Sequence, residues 1–243
     1  MTCLLHISDL HFGAEDREAL DWFGAQAKER KPDSIIVTGD VTQRALPSQF
    51  DAAAEYLDAL PAPVTVKYGN HDLPYFNLIE RFFSPHRRME KLKDKVERHL
   101  DLEDCVIVPL NTTARAQWRF NWAHGNVNDE SLEKTLRRLR LAPENKRKLV
   151  ACHHPLIDTD EYHLKGPTRG GREALHAIVE AGADAVLTGH VHTPFDLSVD
   201  ARGRSIRLIG AGTLSDRLRG YRPSYNEIKV GPDRIEVVHH THD

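Results

Sequence analysis

The chain has 243 residues, 40% of them hydrophobic and 28% charged, with a formal net charge of −3. That length builds one large domain or two small ones around a core that needs no staples. A charge this close to neutral argues against a chain whose main task is gripping a phosphate backbone or anionic lipid, and no apolar run approaches the ~18 residues that span a bilayer. In chain order, 3–8 reads as a buried strand, 15–30 as a helix and 34–38 as a second strand. Residues 47–60 read as a helix with Pro47 in its first turn, and 64–68 as the next strand. The stretch 74–100 is polar and basic, with Leu78, Ile79, Phe82, Phe83, Met89 and Leu92 at helical spacing. A strand is expected at 105–110. Asn128 then caps a helix whose Leu132, Leu136 and Leu139 make one apolar face. Strands at 148–152 and 185–188 enclose a helix at 172–180. After this the pattern changes to paired strands, 195–199 with 205–209 around Asp200-Ala201-Arg202-Gly203, and 225–230 with 234–238 around Gly231-Pro232-Asp233. The chain is therefore α/β first and antiparallel β last, without repeats or a linker. This predicts a single domain, 1–243, in which two packed sheets carry helices on their outer faces and 74–100 forms a helical insert.

Cys3, Cys105 and Cys152 lie far apart inside apolar runs. An odd count without CxxC spacing predicts buried thiols in a reducing compartment. The first residues lack a charged segment ahead of a long apolar one, so a cytoplasmic protein is expected. Fifteen histidines is a high count, and imidazole is a common metal ligand. At the tail, His239, His240 and His242 have no defined partners in the pattern and read as chance enrichment.

Polar residues recur just past the carboxyl ends of predicted strands, where α/β sheets bind ligands. Asp9-Leu10-His11 follows the first strand, Gly39-Asp40 the second, and Gly69-Asn70-His71-Asp72 the third. His153-His154-Pro155 and Gly189-His190-Val191-His192 follow the strands at 148 and 185. Each set has an ordinary reading when taken alone. Asp9 can be a helix cap, Gly39-Asp40 a turn, and Asp72 ahead of Leu73-Pro74 an N-cap. Their joint occurrence, each after a strand, points to one site. In His190-Val191-His192 an extended backbone would aim both imidazoles the same way. Two carboxylates, four imidazoles and one amide oxygen suit two divalent ions such as Mn, Fe or Zn, whereas Ca or Mg sites take oxygen almost throughout. One carboxylate must be shared, and Asp40, alone in its loop, is the expected bridge.

The ordered motifs DxH, GD, GNHD, HHP and GHxH resemble those of the calcineurin-like metallophosphoesterases over nearly the whole chain. The resemblance implies a β-sandwich flanked by helices, agreeing with the pattern above. It also implies that Asp9, His11, Asp40 and His192 hold one metal, and that Asp40, Asn70, His153 and His190 hold the other. His154 is then a supporting residue. His71 is left over, to stabilise the transition state or protonate the leaving oxygen. The implied reaction is in-line attack on phosphorus by a hydroxide shared between the metals. Gln43 stands where protein phosphatases carry an aspartate, and His153-His154-Pro155 where lipid A diphosphatases carry HGD. Little chain remains for the capping domain of the DNA-repair nucleases. The chain is most similar to the bacterial class III cyclic-nucleotide and glycerophosphodiester phosphodiesterases, including at Gly210-Ala211-Gly212-Thr213 and Arg217-Leu218-Arg219-Gly220. Tyr68, at a position often held by proline, has no explanation in the sequence.

The expected partner is a small phosphate ester, with no membrane or nucleic acid, and with the oligomeric state, homodimer included, left open. A phosphomonoesterase or nucleotide pyrophosphatase is the alternative, and a non-catalytic interaction module a more distant one. Arg44, Asn111 and Arg115 are loop residues that could line the pocket. Arg81, Arg87, Arg88, Lys91 and Lys93 read either as a solvated helix face or as basic groups for an anionic substrate. None of the five ligand loops puts a basic residue beside a ligand, so a singly charged diester is expected to be preferred over a dianionic monoester.

Overall fold

Strand β1 (Thr2–Ile7) shows why this chain folds in layers. Leu5 and Ile7 point to one side, into a core with Phe23, Phe50 and Leu57 of the neighbouring helices. Leu4 points to the other, into a core shared with Leu149, Leu187 and Ile209 of a second sheet. A strand buried on both faces cannot alternate apolar with polar, and it reads instead as a continuous apolar run. In this computed structural model the described residues are 1–74, 76–114, 124–160, 162 and 168–243.

The elements that follow are α1 (Arg17–Arg30), β2 (Ser34–Val37), α2 (Pro47–Asp58), β3 (Val64–Val66), a 3-10 turn at Asn70–Asp72, α3 (Leu78–Phe83) and α4 (Arg87–Val96). Then come β4 (Cys105–Pro109), α5 (Asp129–Leu141), β5 (Arg147–Ala151), α6 (Gly171–Glu180) and β6 (Ala185–Thr188). The chain closes with β7 (Phe195–Ala201), β8 (Arg204–Gly210), β9 (Ser224–Val230) and β10 (Ile235–Thr241). Two five-stranded sheets result, ordered β10-β9-β1-β2-β3 and β4-β5-β6-β8-β7. Helices α1, α2 and α4 cover the first, and α5 and α6 cover the second through Leu136, Leu139, Leu175 and Ile178. This is the two-sheet sandwich flanked by helices that the pattern predicts.

Local chemistry sets the ends. Asp16 caps α1 by accepting from Ala19 N at 3.0 Å, and Asn128 caps α5 by accepting from Ser131 N at 2.8 Å. The edge of β3 is closed by Glu97, whose Oε1 accepts from Val66 N at 2.7 Å. Its neighbour Tyr68 has a role after all. Its ring packs on His86, with centroids 4.4 Å apart, and lies beneath Lys93, fastening the insert to β3.

One expectation holds and another needs correction. The closing strands pair antiparallel as the turns predict, and the two hairpins divide between the sheets: β9 and β10 extend the first, and β7 and β8 the second. Strand β8 is moreover parallel to β6 on its other side, so the loop after β8 leaves from the same edge as the loop after β6. The tail histidines do have partners. His239 bonds Asn226 at 2.5 Å, His240 contacts Glu227 at 3.1 Å, and His242 packs on Trp22. They anchor β10 to the body.

Candidate metal centre

The five loops meet where the two sheets' edges adjoin. His153 Nδ1 lies 2.7 Å from the carbonyl of Thr38 in the opposite sheet, and His190 N donates to Asp9 Oδ2 at 2.8 Å. Two glycines make this approach feasible. A Cβ at Gly69 would sit 2.1 Å from Asp40 N, and one at Gly189 would sit 1.8 Å from Ser8 Oγ. Eight described non-glycine residues have φ between +47° and +69°, and five of them are Asp9, His11, Asp40, His190 and His192. Left-handed backbone of this kind costs on the order of 1–3 kcal/mol per residue and persists where surrounding structure enforces it. It also overturns the extended reading of His190-Val191-His192. The two imidazoles diverge, His190 towards His153 with centroids 5.1 Å apart and His192 towards His11 with centroids 5.2 Å apart.

The donors gather in buried groups. Asp9, His11 and His192 form one, and Asp9, Asp40 and His153 another, each with its ligand atoms within 4.8 Å of one another. His190 groups with His153 and His154 by the same measure. Asp40 Oδ2 lies 3.3 Å from His153 Nε2 and 3.9 Å from His11 Nε2, while its Oδ1 accepts from His71 N at 2.8 Å. Asn70 Oδ1 is 3.1 Å from His153 Nε2.

The tautomers show what the site is built to hold. A backbone carbonyl only accepts, so His153 Nδ1 carries the proton shared with Thr38 O, and His192 Nδ1 the proton shared with Arg217 O at 2.6 Å. In each neutral ring the Nε2 lone pair then faces other acceptors. His153 Nε2 faces Asp40 and Asn70 oxygens, and His192 Nε2 faces Asp9 Oδ1 at 3.0 Å and His11 Nε2 at 3.3 Å. Asp9 Oδ1 is buried without a hydrogen-bond donor. Lone pairs converging in a dry site repel unless a cation stands among them. The ionisation balance agrees. Burial works to lower His153, but the Asp40 and Asp9 carboxylates outweigh it and lift the ring to about 9, a proton taking the place a metal cation would fill. Asp9 is held well below the usual carboxylate range, burial being overcome by His192 and His11. The residues fit two divalent metal ions.

The neighbouring residues divide by role. Asp72 does not cap the helix that follows, where Asn77 takes that place. It accepts from Thr42 N at 2.9 Å, Thr42 Oγ1 at 3.0 Å and Gly69 N at 3.0 Å, tying the second strand-end loop to the third. Burial and the Asp40 charge push it up to about 7. His154 Nδ1 is 2.9 Å from Thr112 Oγ1. His71 Nδ1 donates to the carbonyl of Gln43 at 2.8 Å, which turns Nε2 to the site.

The basic insert is largely occupied with itself. Arg87 and Arg88 both bond Glu80, Arg81 is buried with its guanidinium 3.2 Å from Pro74 O, and Lys93 pairs with Glu97. Arg44 is exposed and Arg115 lies outside the described residues. Asn111 lines a cleft of about 820 Å³ together with Tyr68, Lys93 and Arg138.

The expectation that no basic residue stands beside the ligands fails. Arg217 Nη1 lies 3.2 Å from His11 Nε2, 3.1 Å from His71 Nε2 and 3.4 Å from Gln43 Oε1. Arg219 Nη1 reaches the carbonyl of Val191 at 3.3 Å. The missing signal was the parallel pairing of β8. Once its carboxyl end shares an edge with β6, the loop carrying Arg217 becomes a sixth loop of the site.

The chain is similar to known proteins in sequence and in fold. A 3′,5′-cyclic adenosine monophosphate phosphodiesterase, CpdA of Escherichia coli, is 27% identical over 214 residues, covering 82% of this chain and 72% of its own. A probable glycerophosphodiester phosphodiesterase, GpdQ of Arcobacter nitrofigilis, is 26% identical over 197 residues, covering 78% of this chain and 61% of its own. The crystal structure of a dimetal phosphatase from Danio rerio superposes with a TM-score of 0.68 at 14% identity, covering 100% of this chain and 99% of that one. Residues 4–194 match the calcineurin-like phosphoesterase family. With that match over most of its length, a shared sandwich and clustered Asp and His residues suited to a binuclear divalent-metal site, the chain belongs to the calcineurin-like phosphoesterases.

Proposed function

We propose that the chain is a phosphodiesterase acting on small diesters of the cyclic-nucleotide or glycerophosphodiester type. The observation that carries the reading is the convergence of imidazole nitrogens with carboxylate and amide oxygens in adjoining groups beside His71. In this reading Asp9, His11, Asp40 and His192 hold one metal, and Asp40, Asn70, His153 and His190 the other. The metals, when bound, would supply an acidified water and charge neutralisation for the phosphoryl oxygens. His71 donates its Nδ1–H to the Gln43 carbonyl, which directs Nε2 to the substrate, and a proton carried on Nε2 would pass from there to the leaving oxygen. The diester preference is supported by the similarity to CpdA and GpdQ and by a neutral amide, Gln43, beside His71 rather than a carboxylate.

One observation favours a phosphomonoesterase instead: Arg217 brings a cation to the ligands, as sites for dianions do. The two readings separate on kcat/KM for bis(p-nitrophenyl) phosphate against p-nitrophenyl phosphate, at saturating Mn²⁺. The diester should be the better substrate. A clear monoester preference would overturn the phosphodiesterase reading.

A further inference from the structure

The guanidinium of Arg217 occupies a place that its neighbours do not explain. It lies between two imidazoles and an amide, and no described carboxylate forms an ion pair with it. A buried or half-buried arginine ordinarily meets a carboxylate, because desolvating its charge is unfavourable otherwise. Here the residue that could have neutralised it is Gln43, whose Oε1 can accept a hydrogen bond but carries no charge. The His11 contact cannot persist in a metal-loaded site, since one Nε2 lone pair cannot serve both an arginine and a metal. Arg217 would then keep only His71 and Gln43, and its outer N–H groups would have no anion.

The loop itself is firmly placed. Thr213 Oγ1 donates to the carbonyl of Asp9 at 2.7 Å, the Arg217 carbonyl accepts from His192 Nδ1, and Arg219 reaches Val191 O. The backbone of Arg217 thus orients a proposed ligand, while its side chain carries into the space beside His71 a charge that no described carboxylate pairs. Planar guanidinium forks match phosphoryl oxygens in pairs.

We propose that Arg217 is a phosphate clamp, gripping the non-bridging oxygens of the phosphoryl group, and that it sets how far the enzyme tolerates a dianionic phosphate as substrate or product. The proposal rests on the phosphoesterase reading but not on the diester preference. It also assigns Gln43 a role, holding the clamp without neutralising it.

The test uses metal-loaded protein and three measurements: metal content, affinity for inorganic phosphate by calorimetry, and kcat/KM on a matched aryl monoester and diester. Arg217→Gln keeps the backbone carbonyl and should retain both metals. Phosphate affinity should fall at least tenfold, with monoester kcat/KM falling on the order of 10²-fold and diester kcat/KM about tenfold, because a charge-assisted contact is lost. Arg217→Lys should recover part of the phosphate affinity, and Arg137→Gln, which removes one exposed charge on α5, should change none of these. Unchanged phosphate affinity, or equal losses on both esters, would overturn the clamp. Loss of metal in Arg217→Gln would overturn it in favour of a role through His192 alone. If the wild-type protein turns over no phosphoester yet binds phosphate through Arg217, the clamp stands and the activity reading fails.

Discussion

The two sheets contribute unlike chemistry to the shared centre. The first sheet's edge supplies every proposed oxygen donor, Asp9, Asp40 and Asn70, together with His11 and His71. The second sheet's edge supplies only imidazoles as proposed ligands, His153, His190 and His192, and adds the guanidinium of Arg217 beside them. Carboxylates buried in a dry site are costly unless opposite charge accompanies them, whereas a neutral imidazole can be buried with one satisfied N–H. The first edge therefore fixes how much positive charge the centre must hold. The second adds donors that shape where each ion sits.

The comparison breaks most sharply at Asp40. Its Oδ2 faces rings from both sheets, so Asp40→Ala should lose most of both metals, and activity with them. His190→Ala, on the second edge, should lose chiefly one. Elemental analysis of protein purified without chelator measures both, and wild-type metal content in Asp40→Ala would show that the bridge is elsewhere. Asp9, which belongs to two of the donor groups, is the next position to vary in that event.

His71 sharpens the contrast from within the first edge, as the one imidazole there outside the donor groups. His71→Ala should keep its metals and lose roughly 10²–10⁴ in turnover, the range for one positioned acid–base group. The loss should shrink as the leaving group becomes more acidic. An equal loss across leaving groups would assign His71 to positioning instead.

The first edge also carries a clamp of its own. Asp72→Ala would strand the Thr42 and Gly69 N–H groups in a buried loop, lowering stability by about 2–4 kcal/mol. Urea denaturation reads this, and a change under 1 kcal/mol would mean that water replaces the carboxylate.

These residues differ in how far the sequence exposed them. Each strand-end polar group stood out because an apolar run stopped at it, and the cap at Asn128 was visible because α5 follows at once. The left-handed φ of His190 and His192 was not visible, since nothing local forbids the extended form; it is imposed by packing against the first sheet. The resemblance picked out the stretch holding Arg217, but its place beside the ligands was hidden for a topological reason. Its loop follows a strand whose hairpin partner, β7, is obvious in sequence, while its parallel partner, β6, is a matter of tertiary pairing. The exposed Ile79, Phe82 and Phe83 of α3 illustrate the converse, apolar spacing that predicts a helix without saying that Met89, Leu92 and Val96 of α4 reach the core in their place.

The smallest effect expected lies at the sheets' outer borders. On the second sheet, Arg207 and Asp196 of neighbouring strands β8 and β7 pair at 2.6 Å, so each charge meets its opposite. On the first, just past β3, Lys67 is half-buried, and its Nζ donates to Thr65 Oγ1 at 2.8 Å. Burial lowers its ammonium from 10.5 to about 8, with Glu97 opposing and Lys93 and Arg138 assisting. The folded chain then binds fewer protons than the unfolded chain between these two values, so Lys67's contribution to stability rises with pH across that window. Below pH 8 the full penalty of the buried charge is present, about 3 kcal/mol at most. Lys67→Met removes the titration but also the Thr65 bond, a loss independent of pH. The test is therefore the difference in unfolding free energy, wild type minus variant, at pH 7.5 and 9.5. That difference should shift in favour of wild type as pH rises, and a flat difference would mean that the Lys67 ammonium stays charged at little cost, with Glu97 or solvent compensating it as fully as Asp196 compensates Arg207.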